Sequence, residues 1–211
     1  MLQNNHVKRA LITGISGQDG AYLAKHLLGL GYEVWGTSRD AQISPFHNLH
    51  QLGINDHVRL ESLAVNDFRS VLQVLAKIRP DEVYNLGGQT SVSLSFQQPV
   101  ETLESISIST LNFLECIRFM GQPIRFYNAG SSECFGDRKG DDAANELTPF
   151  RPWREFVEVA FKLLGLDPRR YVKVDNSLFR PTDIQISRSD ATKASNILNW
   201  QAKTKMPEVA R

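Results

Sequence analysis

Short apolar runs alternate with amphipathic stretches along the chain between positions 7 and 128. This alternation is typical of βαβ units, in which each strand of a parallel sheet is followed by a crossover helix. The runs predict five strands, at residues 10–13, 33–37, 58–62, 82–86 and 124–130, the last two of them buried. Helical periodicity predicts helices at 21–28, 68–78 and 100–120, and Pro80 ends the second of these. The expected fold is therefore an α/β fold with a doubly wound parallel sheet.

The tail of the chain has a different pattern. After a polar loop at 137–145, helices are predicted at 153–164 and 190–198, but apolar stripes are few. A segment of this kind makes a poor independent core. We therefore expect residues 1–150 to form one domain and residues 151–211 to be a small, incomplete part of a second lobe.

Composition narrows the classes of protein that fit. The 211 residues carry a formal net charge of +1 and have a pI near 7.8, which argues against an extended nucleic-acid surface. No apolar run is long enough to cross a bilayer, and the polar start shows no secretory signal. Cys116 and Cys134 lack the pattern of a disulfide scaffold, which fits a reducing compartment. We expect a cytoplasmic protein without a membrane or nucleic-acid partner.

A glycine-rich turn follows the first predicted strand and opens the first helix. Glycines in such a turn let the backbone approach a pyrophosphate, which the helix N-terminus then binds. The turn predicts a dinucleotide site, as in a Rossmann domain, formed by Gly14, Ser16, Gly17, Gln18, Asp19 and Gly20. The glycine spacing is similar to that of extended short-chain dehydrogenase/reductase proteins. A purely structural turn is the alternative.

The end of the second predicted strand bears on the choice of cofactor. An acidic residue there accepts a hydrogen bond from a ribose 2′-hydroxyl, whereas an arginine accommodates a 2′-phosphate. Arg39 followed by Asp40 is a mixed signal, in which Arg39 favours NADP and NAD stays possible. The alternative is that Arg39 only caps a surface turn.

Small and polar residues follow the fourth and fifth predicted strands, at the edge where open α/β sheets bind their ligands. Residues 87–90 are small enough to let a nicotinamide approach the backbone, although a tight turn explains them equally well. Ser131, Ser132 and Glu133 place hydroxyls and a carboxylate after the fifth strand. A redox site of this type also needs a tyrosine followed four positions later by a lysine, and none of the five tyrosines meets this condition. The pattern therefore predicts half of an active site, and no metal site is predicted.

Several stretches of the chain resemble the GDP-mannose 4,6-dehydratase family. They are residues 9–24, with Gln18-Asp19 inside the glycine motif, 81–92, 95–96, 126–133, 146–150, 179–183, 190–194 and 198–200. In that family NADP is bound and recycled within one turnover: a hydride leaves C4 of the sugar, water is eliminated across C5 and C6, and the hydride returns to C6. The resemblance implies dehydration of GDP-mannose to GDP-4-keto-6-deoxymannose by a homo-oligomer, either a dimer or a tetramer.

The resemblance also implies roles for individual residues. Ser131 stands where the family has a catalytic threonine and would polarise the C4 oxygen. Glu133 would remove the C5 proton and help expel the C6 hydroxyl, unless it is merely a solvated acid at a strand end. Substrate contacts are implied for Ser91 and, with the guanosine diphosphate, for Arg180 and Asp183. Further cofactor contacts are implied for Ser62, Leu63, Leu86, Gly87, Gly88, Gln89 and Thr90.

The chain departs from the family pattern at several of these positions. Asp40 replaces a second basic residue, and Ser62-Leu63 replaces an Asp-Leu pair near the adenine. Ser91 replaces a histidine, and Glu101 stands where a tyrosine beside the cofactor is expected. These departures point to a divergent member or to a relative that acts on a different nucleotide sugar.

The largest departure follows Pro152. There the family continues with the Tyr-x-x-x-Lys segment and most of the sugar-nucleotide lobe, whereas here Trp153 begins a stretch that resembles a much later helix. The first hypothesis is a dehydratase from whose chain a domain-sized segment is missing at this point. The second is a catalytically inactive protein that binds a dinucleotide or serves as an assembly partner. The third is a sibling reductase or epimerase, against which Glu133 argues, because those reactions need no elimination.

Overall fold

The computed structural model describes residues 7–135, 143–148 and 189–203, and the chain divides into two compact units, residues 1–130 and 131–211. The predicted helix at 153–164 and the predicted domain boundary at residue 150 lie outside the described residues. In the second unit, the helix Thr192–Leu198 confirms the helix predicted at 190–198. Among the described residues, no helix is both long and apolar enough to span a membrane.

The first unit is built on a parallel sheet of five strands, as predicted. The strands are β1 (Arg9–Thr13), β2 (Glu33–Ser38), β3 (Arg59–Ser62), β4 (Glu82–Asn85) and β5 (Arg125–Asn128). Their order in the sheet is β3-β2-β1-β4-β5. The chain therefore builds outward from β1 to β3 and then returns to place β4 on the other side of β1. Ligands of open α/β sheets bind at such a reversal, outside the carboxyl ends of the two strands.

The helices of the first unit confirm the three predicted ones and add two short ones. They are α1 (Gln18–Gly29), α2 (His47–Gln51), α3 (Phe68–Ile78), α4 (Val92–Gln97), α5 (Pro99–Leu103) and α6 (Ser109–Met120). A π-helical turn, Glu104–Ile108, joins α5 to α6, so the helix predicted at 100–120 is continuous but locally underwound. Neither α2 nor α4 was predicted.

Helix α3 shows why some elements are readable from the sequence. The Asp67 carboxylate caps its first turn by accepting hydrogen bonds from the Arg69 and Ser70 amides, at 3.1 and 3.2 Å. The helix ends where Arg79 takes a left-handed conformation with φ of 51°. Between these ends, one face is buried by four apolar residues, Val71, Val74, Leu75 and Ile78. Their spacing is that of a single helical stripe.

Two apolar clusters cover the two faces of the sheet. Ala10 and Ile12 of β1 belong to the cluster that contains α1, whereas Leu11 belongs to the cluster that contains α3 and the buried part of α6. Successive residues of a strand point to opposite faces, so a central strand needs apolar residues at every position when both faces are covered. The sheet is therefore doubly wound, as predicted.

The prediction that the fifth strand is buried is wrong. Among the strands that the structure describes, β5 pairs only with β4 and forms an edge of the sheet. Phe126 packs against Phe113 with ring centroids 5.9 Å apart, but Tyr127 on the opposite face is 56% exposed. An apolar run indicates that at least one face of a strand is buried. It does not indicate whether the strand has neighbouring strands on both sides in the sheet.

A charged cluster lies at the amino ends of the central strands, around the nearly buried Glu82. Its carboxylate accepts hydrogen bonds from Tyr84 at 2.7 Å, Tyr32 at 3.3 Å and Lys8 at 3.4 Å, and lies 3.6 Å from Arg125. Burial alone raises the pKa of Glu82, but these hydrogen bonds outweigh it and hold the pKa below its ordinary value of 4.5. The cluster therefore stabilises the ionised carboxylate in the folded state.

Glu82→Gln should destabilise the protein by about 1–3 kcal/mol at neutral pH, because the amide leaves Lys8 with a weaker, neutral partner. The folded-state pKa is lowered, so the stabilisation by Glu82 is complete above 4.5 and is lost as the pH falls toward the folded-state pKa. Urea unfolding at neutral and at acidic pH measures this effect. The difference between the two proteins should shrink in acid.

The matched control is Glu61→Gln. Glu61 pairs with Lys77 on the surface, where such pairs contribute between zero and about 1 kcal/mol. A stability change for Glu82→Gln no larger than that of the control would contradict the role given to the buried carboxylate.

Candidate dinucleotide-binding site

Gly14 is the point of contact between the ends of β1 and β4. Its φ is 68°, and a Cβ atom on it would lie 2.8 Å from the carbonyl oxygen of Leu86 and 3.0 Å from Cα of Gly87. Both the left-handed backbone and the close approach exclude any side chain. Only glycine therefore allows the turn to begin while the two strands stay adjacent.

The next two glycines of the motif bring α1 onto this turn. The Gly17 amide donates to the Gly14 carbonyl at 3.0 Å, and a Cβ on Gly20 would lie 2.5 Å from that same oxygen. Gly17 is the N-cap of α1 and supplies no side-chain hydrogen bond to its first turn. The amides of that turn lie at the positive end of the helix dipole, where a pyrophosphate would bind, and the cofactor contacts predicted for residues 14–20 stay predictions.

A neutral hydrogen-bond network lies beneath the turn. The Leu86 and Gly87 amides both donate to the Thr13 hydroxyl oxygen at 3.1 Å. The Thr13 hydroxyl in turn donates to the Asn85 side-chain oxygen at 2.7 Å, and the Asn85 amide donates to Asn128 at 2.8 Å. The carboxyl ends of β1, β4 and β5 are thereby joined without any charged group.

Asn48 contacts the glycine turn, and the sequence analysis did not predict this contact. Its side-chain amide donates to the Ser16 carbonyl at 2.8 Å, which ties α2 to the glycine turn. α2 has only five residues, so it shows no helical period. It follows Phe46, which is buried and has φ of 41°. No local pattern pointed to this contact.

The charged residues after β2 separate into two roles. The Arg39 guanidinium forms an ion pair with Glu101 at 2.5 Å. The Asp40 carboxylate instead accepts a hydrogen bond from the Gln42 amide at 2.9 Å, which closes a local turn. Of Arg39 and Asp40, only Arg39 thus contacts a residue outside its own loop. Its partner, Glu101, lies 62 positions further along the chain.

The residues after β3 have structural contacts. The Ser62 hydroxyl accepts a hydrogen bond from the Ala41 amide at 3.0 Å and so holds the loop after β2 beside β3. Leu63 is 2% exposed, and its side chain lies in the core. The cofactor contacts predicted for Ser62 and Leu63 stay predictions.

The segment after β4 is closely packed at its glycines. A Cβ on Gly87 would lie 3.1 Å from the Thr13 hydroxyl oxygen, and one on Gly88 would lie 3.2 Å from the side chain of Ile106. This close packing explains the glycines without a cofactor. It does not exclude the cofactor contact predicted for the same residues.

Ser91 acts as a helix cap. Its hydroxyl accepts a hydrogen bond from the Leu94 amide at 3.3 Å, at the start of α4. The Gln89 side-chain oxygen accepts from the Ser91 amide at 3.0 Å, whereas Thr90 is exposed. The substrate contact predicted for Ser91 stays a prediction.

The predicted catalytic residues belong to the second unit. Ser131 is exposed, and its carbonyl accepts a hydrogen bond from the Cys134 amide at 3.3 Å. Glu133 lies in the short 3₁₀ helix Ser132–Phe135. Arg180 and Asp183 lie outside the described residues. The roles of all four residues stay predictions.

Comparison with known proteins adds a family to this geometry. The model of the GDP-mannose 4,6 dehydratase family matches residues 11–157, which include the glycine turn and all five strands except the start of β1. The chain belongs to this family. The predicted resemblance is thereby confirmed.

Curated relatives agree with the family match. A GDP-mannose 4,6-dehydratase of Vibrio cholerae is 41% identical over 152 residues, which are 69% of this chain and 40% of the relative. GDP-mannose 4,6 dehydratase 2 of Arabidopsis thaliana is 38% identical over 155 residues, with 69% and 41% covered. The matched part of this GDP-mannose 4,6-dehydratase family member thus spans about two fifths of the length of these relatives.

Solved structures with the same fold include two epimerases. UDP-glucose 4-epimerase of Thermus thermophilus, solved in complex with NAD, has a TM-score of 0.59 at 25% identity, over 75% of this chain and 52% of that one. UDP-glucose 4-epimerase of Thermotoga maritima, solved with UDP-glucose, has a TM-score of 0.59 at 20% identity, over 77% and 52%. These likenesses confirm the predicted Rossmann fold of the family member.

Gly20→Ala should destabilise the protein by about 1–3 kcal/mol, because the added methyl overlaps the Gly14 carbonyl oxygen at the base of the turn. The control is Gly29→Ala, in the same helix. A Cβ on Gly29 meets nothing within 4 Å, so the variant should be neutral or more stable by up to about 1 kcal/mol. Urea unfolding of the two variants measures both values. Equal effects would contradict the close contact between α1 and the glycine turn.

Proposed function

We propose that this protein is a nucleotide-sugar dehydratase that converts GDP-mannose to GDP-4-keto-6-deoxymannose. The observation that carries the proposal is that a single family match, at residues 11–157, spans both the glycine turn and the segment of Ser131 and Glu133. That range therefore contains both the residues proposed to bind the cofactor and those proposed to transfer protons. The activity is inferred for the whole protein, of which this chain carries the nucleotide-binding part.

A nicotinamide dinucleotide fits the residues of the first unit. The turn leaves no room for a side chain at Gly14 or Gly20, and the uncapped first turn of α1 suits a pyrophosphate. We propose NADP as the cofactor, because the Arg39 guanidinium follows β2, where a 2′-phosphate is accommodated. When bound, the cofactor supplies the hydride chemistry of the reaction.

Side chains of this protein would carry out the proton transfers of the reaction. The Ser131 hydroxyl would donate a hydrogen bond to the C4 oxygen, and the Glu133 carboxylate would take the proton from C5 and deliver it to the departing C6 hydroxyl. Arg180 and Asp183 would bind the guanosine diphosphate. These roles are supported by the positions of the four residues in segments that resemble the family.

One observation favours a second candidate function, that of an inactive dinucleotide-binding protein. None of the five tyrosines of this chain is followed by a lysine four positions later, so the usual proton acceptor for hydride transfer is missing. We place the missing pair in a segment between Pro152 and Trp153 of the whole protein, because the sequences on both sides of this point keep the family pattern. Residues 151–211 would then be the remnant of the nucleotide-sugar lobe. The alternative is an inactive dinucleotide-binding protein.

The intact mass of the natural protein, followed by an assay, separates these two candidates. We expect a mass well above the 23.8 kDa of this chain, and formation of the 4-keto-6-deoxy sugar from GDP-mannose with NADP. Glu133→Gln should lower the rate by about 100-fold or more, because the amide cannot accept the C5 proton. Dinucleotide affinity should stay unchanged in this variant.

The control for this test is Glu146→Gln, which alters an exposed acid of the same unit. It should leave the rate within about twofold, since it removes only a surface interaction. A mass of 23.8 kDa, together with dinucleotide binding and no product, would favour the inactive alternative.

We also propose that the protein is a homo-oligomer, a dimer or a tetramer. Four apolar side chains, each between 47% and 62% exposed, follow the outer face of the helix from α5 to α6: Val100, Leu103, Leu111 and Leu114. A contiguous exposed apolar stripe of this kind is typical of an interface.

A cytoplasmic location is proposed as well, because Cys116 and Cys134 are both free thiols.

Leu111→Glu should shift the protein toward the monomer, because a carboxylate on the stripe would be desolvated in an interface. Light scattering coupled to size-exclusion chromatography measures the mass in solution. The control is Ile43→Glu, which changes an exposed apolar residue outside α5 and α6 and should leave the mass unchanged. Oligomers that persist in Leu111→Glu would contradict this interface.

A further inference from the structure

The ion pair between Arg39 and Glu101 joins two parts of the dinucleotide site that are distant in sequence. Arg39 follows β2, and Glu101 lies in α5. The guanidinium nitrogen and the carboxylate oxygen are 2.5 Å apart. Both side chains reach solvent, with 84% of the Arg39 side chain and 42% of the Glu101 side chain exposed. The pair is therefore open to a ligand that arrives from solvent.

The charges around Arg39 oppose a second anion. Asp40 is adjacent in the chain, and Glu101 already pairs with one nitrogen of the guanidinium. Within the described residues, neither carboxylate has an ion pair with a further cation. The local balance of one positive and two negative charges is unfavourable for a 2′-phosphate, which itself carries a charge of about −1.5 to −2 at neutral pH.

We propose that Glu101 determines how strongly this protein prefers NADP over NAD, by competing with the 2′-phosphate for Arg39. The inference rests on the proposed function, since it concerns the cofactor of that site. A cofactor with a 2′-hydroxyl leaves the ion pair intact. A cofactor with a 2′-phosphate either shares the guanidinium with Glu101 or separates the pair, and in both cases the phosphate lies near the Glu101 carboxylate.

The exposure of the pair makes this competition a modest one. An exposed ion pair changes an equilibrium constant by about fivefold or less. The repulsion between the displaced carboxylate and the phosphate adds to this factor and is screened by salt. Glu101 therefore reduces the preference for NADP without abolishing the binding of either cofactor.

Isothermal titration of NADP+ and NAD+ into the protein tests the inference directly. In Glu101→Gln, the affinity for NADP+ should rise about 5- to 20-fold, because the amide neither holds Arg39 as an ion pair nor repels the phosphate. The affinity for NAD+ should change by less than about twofold. The gain for NADP+ should become smaller as the salt concentration rises.

The matched control is Glu104→Gln. Glu104 lies one helical turn beyond Glu101, but its carboxylate accepts a hydrogen bond from the neutral Asn66 side chain at 3.0 Å. This variant removes the same charge from the same helix without freeing an arginine. The ratio of the two cofactor affinities should therefore stay within about twofold of that of the unmodified protein.

A double-mutant cycle with Arg39→Gln locates the effect. If Glu101 acts through Arg39, Glu101→Gln should have no more than about a twofold effect on NADP+ binding in the Arg39→Gln background. An unchanged affinity ratio in Glu101→Gln, with both cofactors still bound, would overturn this inference alone. Failure of the unmodified protein to bind either dinucleotide would overturn the proposed function, and this inference with it.

Discussion

The contact between the carboxyl ends of β1 and β4 is the constraint on which the dinucleotide site depends. Gly14, with φ of 68°, leaves no space for a Cβ beside the Leu86 carbonyl. The Thr13 hydroxyl accepts the Leu86 and Gly87 amides at 3.1 Å and so holds the same two strand ends together. Because α1 begins at Gln18, four positions after Gly14, this contact also sets where the N-terminus of α1 lies. The position of an anion in the site therefore follows from strand packing.

The two ends of the sheet are stabilised by different means, and the difference suits the site. At the amino ends, the buried Glu82 is surrounded by hydroxyls and cations. At the carboxyl ends, Thr13 and Asn85 form a neutral network. A fixed charge at the carboxyl ends would compete with the dipole of α1, whereas neutral groups leave the positive end of that helix available to an anion. Charged side chains lie at the periphery of the site, where Arg39 meets Glu101, and in the first turn of α1, at Asp19.

The sequence pattern predicts the elements whose signals are local. The bounds of α3 agree with the prediction at residues 68–78, because four apolar residues form one stripe and Pro80 follows its end. The α2 helix escaped prediction because five residues cannot show a period of 3.6. The exposure of β5 was mispredicted for another reason: Ile124, Phe126 and Tyr127 form an apolar pattern, but the number of strands that cover them depends on topology.

In the candidate site, too, local features were predicted from the sequence and long-range contacts were not. The sequence by itself determined the parallel sheet, the glycine turn and the helix that follows it, because strand alternation and the need for glycine at a close backbone approach are local properties. Only the tertiary structure decided that Asn48 bonds to Ser16, 32 positions away, and that Arg39 pairs with Glu101, 62 positions away. Such contacts depend on strand order and on how helices pack against the sheet, and neither quantity is encoded in a short stretch of chain.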